Sequence, residues 1–183
     1  VNIKEIINKI ENLIPSHLFH EVDEILVGDF EELNDREVQA IYKDGAIYVT
    51  NAQSDNTDMV DDIIHELSHS LEHQYGMYLY ADQKLHDEFI EKRKRLYHNL
   101  RSHEFEVSAE DFLEHEFNKE FDSLLYKDIG YGLLSNLTLG LFINPYAITS
   151  LKEYYATGFE EYFLGDRNYL RDMSPQLYLK LKE

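Results

Sequence analysis

The chain has 183 residues, no cysteine, and a formal net charge of -19 from 36 acidic and 17 basic side chains. This acidic balance argues against nucleic-acid binding, which depends on basic residues that neutralise phosphates. The lack of cysteine excludes disulfide frameworks, thiolate zinc fingers and cysteine nucleophiles, so any metal must be bound by His, Asp or Glu.

We expect no signal peptide and no transmembrane segment in this chain. Its longest nearly charge-free stretch, 129–148, is interrupted by glycine and proline and lacks the ~20 unbroken apolar residues of a membrane helix. Because the sequence starts at Val1, we expect a processed product or an excised domain. The location is left open between a cytoplasmic protein and part of a larger secreted or virus-encoded protein, with no membrane partner.

Residues 1–56 predict one helix and a small sheet. Apolar residues recur at helical spacing over 3–14, and the pattern stops at Pro15. Three segments favour β-strands: 22–27, 39–42 and 46–50. The last two flank Lys43-Asp44-Gly45, a strong hairpin signal. We expect a three-stranded antiparallel or mixed sheet whose strand order the sequence does not determine.

Residues 57–183 predict helices. The predicted helices run from Asp58 to a C-terminal cap at Gly76, then over 85–100, 105–125, 150–164 and from about Ser174 onward. Two of these helices form a pair near 81–127. The only basic run, 92–95, is predicted to be a solvated helix face. The expected fold is one α+β domain over 1–183, mainly helical with a small N-terminal sheet.

A candidate metal motif, His65-Glu66-Leu67-Ser68-His69, lies in the helix that starts near Asp58. Residues four apart share a helix face and lie roughly 6 Å apart along it, so both imidazoles can reach one Zn²⁺. Glu66 can take a proton from water whose pKa zinc lowers. This is the HExxH arrangement of zinc peptidases. The alternative is a solvated helix face, but flanking Ile63 and Ile64 favour a central helix.

The third ligand must come from elsewhere in the chain. The HExxHxxGxxH class is excluded because Glu72 and Tyr75 stand where it needs Gly and His. Glu72 and His73 follow too closely in the same helix to complete a tetrahedron easily, so we predict a supporting or surface role for them. A carboxylate from a later helix is the better candidate, and Glu153-Tyr154-Tyr155-Ala156 offers one.

Residues 65–73, together with 153–156 and Phe159, resemble the catalytic domain of the anthrax lethal factor family and the related clostridial Pro-Pro endopeptidases. Pro175-Gln176-Leu177-Tyr178 is similar to a motif near the end of that domain. The resemblance implies a zincin fold of the gluzincin type and a zinc metallopeptidase that hydrolyses peptide or protein substrates.

The same resemblance implies the roles of the site residues. A single catalytic Zn²⁺ is held by His65, His69 and Glu153, with Glu66 as general base. Tyr146, seven residues before Glu153, donates a hydrogen bond to the oxyanion.

Two departures from the family keep a second function open. Thr157 stands where the family usually has a second Glu, and the resemblance implies that the helical pair near 81–127 is inserted, without explaining it. The alternative is a non-catalytic, zinc-stabilised interaction module derived from a metallopeptidase. For a peptidase, we expect an edge strand at 46–50 that pairs with an extended substrate.

Overall fold

The computed structural model describes all 183 residues and confirms a mainly helical α+β chain with a small mixed sheet. The helices are α1 (Ile3–Leu13), α2 (Glu31–Arg36), α3 (Asn56–Tyr80), α4 (Lys84–Ser102), α5 (Lys119–Ser123), α6 (Tyr131–Leu137), α7 (Leu151–Leu164), α8 (Arg167–Met173) and α9 (Pro175–Lys182). The strands are β1 (Glu24–Gly28), β2 (Ala40–Lys43) and β3 (Ala46–Thr50). None of the helices combines the length and apolar character needed to cross a membrane.

The chain divides into two compact units. The first comprises Val1–Met77 and Phe163–Gly165, and the second comprises Tyr78–Tyr162 and Asp166–Glu183. The sheet belongs to the first unit, and most of the helices belong to the second. The single domain expected over 1–183 stays a prediction.

The sheet of the first unit has the order β1-β3-β2. β3 runs antiparallel to β2 and parallel to β1. Asp44 and Gly45 have φ values of 51° and 83°, as a tight hairpin turn between β2 and β3 requires. The chain reverses direction at the hairpin after β2, and β3 then lies between β2 and β1, parallel to β1. The sheet is therefore mixed, and an all-antiparallel arrangement is wrong.

Helix α3 carries the HExxH motif through the first unit. The carboxylate of Asp55 accepts hydrogen bonds from the backbone N–H groups of Thr57 at 2.7 Å and Asp58 at 3.0 Å, which caps the helix N-terminus. The predicted cap at Gly76 is wrong, because the helix continues through it to Tyr80. Leu79, only 3% exposed, anchors this last turn by burial.

Helix α4 of the second unit confirms the predicted helix at 85–100 but not the solvated basic face. Lys92 and Arg93 are only 6% and 1% exposed, whereas Lys94 and Arg95 are exposed. The helix therefore turns half of its basic run into the core of the second unit.

Lys92 joins α4 to two other parts of the second unit. Its Nζ donates to the carbonyl oxygens of Leu141 at 2.7 Å and Met173 at 2.9 Å, and to Ser174 Oγ at 2.6 Å. The ammonium also lies 5.3 Å from the ring centroid of Tyr154. These contacts replace the water that an exposed lysine would keep, but no carboxylate forms an ion pair with Lys92.

Burial lowers the pKa of Lys92 from 10.5 to about 8. Between these values the unfolded chain holds more protons at this site than the folded chain, so stability rises with pH across that window. We expect the free energy of unfolding to increase between about pH 8 and pH 10, by at most about 3 kcal/mol. Urea titrations at several pH values measure it.

The matched variants are Lys92→Met and Lys94→Met. The first should lose this pH-dependent gain, and the second, on the exposed face, should keep it. A gain that survives in Lys92→Met would assign the effect to another group. The range stops at pH 10 because burial raises the pKa of Tyr131 from 10.0 to about 12. Above pH 10 the unfolded chain loses the phenol proton that the folded chain keeps, so stability falls with pH.

The long helix predicted at 105–125 is wrong. This segment forms a 3-10 turn at Ala109–Phe112, helix α5, and a π-helical turn at Leu124–Ile129. The Arg93 guanidinium donates to the carbonyl oxygens of Asp111 and Glu114. Those carbonyls therefore face a buried side chain of α4, and local spacing in the sequence does not reveal such a partner.

Helix α7 confirms the helix predicted at 150–164. Ser150 Oγ accepts a hydrogen bond from the Glu153 backbone N–H at 3.2 Å near the helix start. Gly158 allows close packing on α9, since a Cβ there would lie 2.2 Å from Leu177 Cδ2. Tyr154 is 2% exposed, and its hydroxyl donates to a carboxylate oxygen of Glu88 at 2.7 Å. Tyr154 therefore packs in the core of the second unit.

Candidate metal centre

The two histidines of the HExxH motif lie on one face of α3, as their spacing predicts. Their Nε2 atoms are 3.2 Å apart, and their rings meet edge to face with centroids 4.9 Å apart. Leu67 and Leu71, buried at 0% and 2% exposure, fix the helix in the core. The motif is therefore not on a solvated helix, and two imidazole nitrogens converge on one point.

Glu72 supports one of these imidazoles. Its Oε1 lies 2.8 Å from His69 Nδ1. A carboxylate at Nδ1 favours the tautomer that carries its proton there, which directs the lone pair of Nε2 toward a metal. Glu72 thus occupies the supporting position predicted for it, while His73 is exposed. The spacing of three residues within a helix is the sequence signal for this pair.

Glu66 is held against the edge of the sheet. Its Oε2 accepts a hydrogen bond from the Tyr42 backbone N–H at 2.8 Å. Tyr42 belongs to β2, which is an edge strand, whereas β3 lies between β1 and β2. The prediction of an edge strand at 46–50 is therefore wrong. The strand whose outer edge meets the motif is β2, and sequence reasoning missed Tyr42.

In the second unit, Tyr146 and Glu153 line one cavity of about 630 Å³. Segment 81–127 contributes other parts of its lining, including His86, His115 and Phe117. The rings of His86 and His115 meet edge to face, with centroids 5.1 Å apart. Segment 81–127 therefore forms part of the wall of the cavity that holds two of the predicted site residues.

Tyr146 lies on a 3-10 turn, Pro145–Ile148, that is fixed at its backbone. Asn144 Oδ1 accepts a hydrogen bond from the Ala147 backbone N–H at 3.0 Å. Thr149 Oγ1 donates to the Tyr146 carbonyl oxygen at 2.8 Å. The Tyr146 side chain remains 45% exposed. A rigid backbone thus presents a phenol that a ligand in the cavity can reach.

His65 and His69 in the first unit each offer an imidazole nitrogen, and Glu153 in the second unit offers a carboxylate oxygen. Two imidazole nitrogens and one carboxylate oxygen form a donor set that suits Zn²⁺ and matches the three protein ligands of catalytic zinc sites. The residues present therefore fit the metal that the motif implies.

Thr157 does not reproduce the second carboxylate of the family. It is 2% exposed, and its Oγ1 is buried without a hydrogen-bond partner. In this chain, the carboxylate of Glu72 contacts a histidine of the motif instead, at the Nδ1 atom of His69.

No protein-family model, no curated protein and no solved structure matches the chain.

Proposed function

We propose that this protein is a zinc-dependent endopeptidase of the gluzincin type, with zinc held by His65, His69 and Glu153. The observation that carries the proposal is the 3.2 Å separation of the two Nε2 atoms on α3, beside Glu66. Three protein ligands leave a fourth position for water, which distinguishes a catalytic site from a structural one. The resemblance to the anthrax lethal factor and Pro-Pro endopeptidase catalytic domains supports a zincin fold.

The chain supplies the groups that such a hydrolysis needs. Zinc bound there contributes Lewis-acid activation of water at neutral pH. Glu66 takes the proton of the attacking water and delivers it to the leaving amine. The Tyr42 N–H orients the Glu66 carboxylate for this transfer. The Tyr146 hydroxyl donates a hydrogen bond to the carbonyl oxygen of the scissile bond as negative charge builds on it.

The outer edge of β2 is the proposed guide for the substrate. An extended peptide can add to an exposed strand through main-chain hydrogen bonds. Because the Tyr42 N–H of this strand bonds to Glu66, a peptide aligned along β2 has its backbone beside the general base.

Tyr146→Phe tests the oxyanion role. Loss of one such hydrogen-bond donor is expected to lower kcat by about 10²–10³-fold. Zinc content should not change, because the phenol is not among the ligands. Cleavage of a diverse peptide pool, followed by mass spectrometry, identifies a substrate, and a fluorogenic version of it then gives kcat.

Tyr169→Phe is the matched control, because Tyr169 is 43% exposed and does not line the cavity. Equal kcat values for Tyr146→Phe and the unmodified protein would remove Tyr146 from the mechanism. If the protein binds zinc, unfolds on chelation and cuts no peptide in the pool, it is instead the non-catalytic, zinc-stabilised module. Thr157, which stands where the resembled family usually has a Glu, favours that alternative.

A further inference from the structure

Arg93 is the most deeply buried cation of the second unit and contacts the turn that carries Tyr146. Its Nε and Nη2 donate to the Ile148 carbonyl oxygen at 3.0 Å and 2.6 Å. The guanidinium lies between two rings, 4.7 Å from the centroid of Phe89 and 4.3 Å from that of Phe121. Ile148 is the last residue of the turn Pro145–Ile148, so Arg93 holds the end of that turn.

The other end of the same guanidinium contacts the segment that precedes His115. Its Nη1 donates to the Glu114 carbonyl oxygen. The next residue, His115, lines the cavity, and its carbonyl oxygen accepts a hydrogen bond from the Leu151 N–H at 2.8 Å. Leu151 is the first residue of α7. One side chain therefore joins the segment before His115 to the segment between Tyr146 and α7.

We propose that Arg93 is a positioning residue for Tyr146, and that the inserted helix α4 is present to supply it. This inference rests on the proposed function and deepens it. Arg93 uses Nε and Nη2 for the Ile148 carbonyl and Nη1 for the Glu114 carbonyl. A lysine ammonium donates from a single nitrogen on a flexible stem and does not reproduce this planar fork. A shift of about 1 Å in a catalytic group can cost about 10²-fold in rate.

The experiment places 3-fluorotyrosine at position 146 and compares Arg93→Lys with Lys92→Met. Both variants remove buried hydrogen bonds of α4, but Lys92 contacts residues 141, 173 and 174 rather than the Tyr146 turn. For Arg93→Lys we expect a shifted and broadened ¹⁹F signal and a kcat at least about tenfold lower with KM little changed. Lys92→Met should lose stability yet keep the ¹⁹F signal and kcat.

An unchanged ¹⁹F signal in Arg93→Lys would overturn the inference, as would an equal change in both variants. If Arg93→Lys fails to fold, Phe121→Leu replaces it, because loss of one flanking ring loosens the guanidinium without removing its donors. The ¹⁹F signal does not depend on catalysis. If it responds as expected while no peptide is cut by the unmodified protein, Arg93 still positions Tyr146 and the peptidase proposal fails alone.

Discussion

Replacement of Glu66 by glutamine is expected to lower peptide hydrolysis by about 10²–10⁴-fold while zinc stays bound. A neutral amide cannot take a proton from water. Its carbonyl oxygen can still accept the hydrogen bond that the Tyr42 N–H gives to Glu66 at 2.8 Å, so the fold should persist. The measurement compares kcat of the two proteins at equal zinc content, with melting curves recorded on the same samples.

Glu72→Gln is the matched control for Glu66→Gln, because both remove one carboxylate from the same helix. Glu72 contacts His69 Nδ1, so its loss should weaken zinc affinity by about 10–100-fold. At saturating zinc, kcat should stay within a few-fold of the unmodified protein. Hydrolysis that survives in Glu66→Gln would contradict the general-base role, whatever the result for Glu72→Gln.

Glu153→Ala is expected to weaken zinc binding by more than the roughly 10–100-fold that loss of an outer-shell partner causes. The reason is that the substitution removes a proposed direct ligand and leaves two imidazoles. Competition with a chromophoric chelator at fixed pH gives the affinity. The protein should remain folded, because the side chain of Glu153 is partly exposed and its helix keeps the Ser150 cap.

Glu116→Ala controls for the change of charge, since Glu116 lines the same cavity and carries the same charge. Its zinc affinity should match that of the unmodified protein. Equal affinities for Glu153→Ala and the unmodified protein would exclude Glu153 as a ligand. The candidate centre would then consist of the two histidines of α3 and some other donor.

The sequence was informative where the signal is local. Asp44-Gly45 predicts the hairpin because few residues adopt two successive positive φ values, and the structure has both. His65 and His69 share a face because helical periodicity requires it, and their Nε2 atoms do converge. The strand order was not predictable, because it depends on where β3 inserts and not on the composition of any strand.

Two errors occur where a distant side chain decides the local structure. The carbonyls of Asp111 and Glu114 accept hydrogen bonds from Arg93, and the helix predicted at 105–125 gives way to short turns. A run of four basic residues favours a solvated face, yet burial of Lys92 and Arg93 is possible because backbone carbonyl oxygens accept their hydrogen bonds. Such partners depend on tertiary structure, so periodicity does not identify them.

The central claim is a zinc site with three protein ligands and one open position, and zinc-edge X-ray absorption on protein purified without chelators tests it most directly. We predict two imidazoles, one carboxylate and one further light oxygen at the metal, with the carboxylate contribution lost in Glu153→Ala. A closed shell with a third imidazole, or no zinc in metal-replete protein, would contradict the proposed peptidase centre.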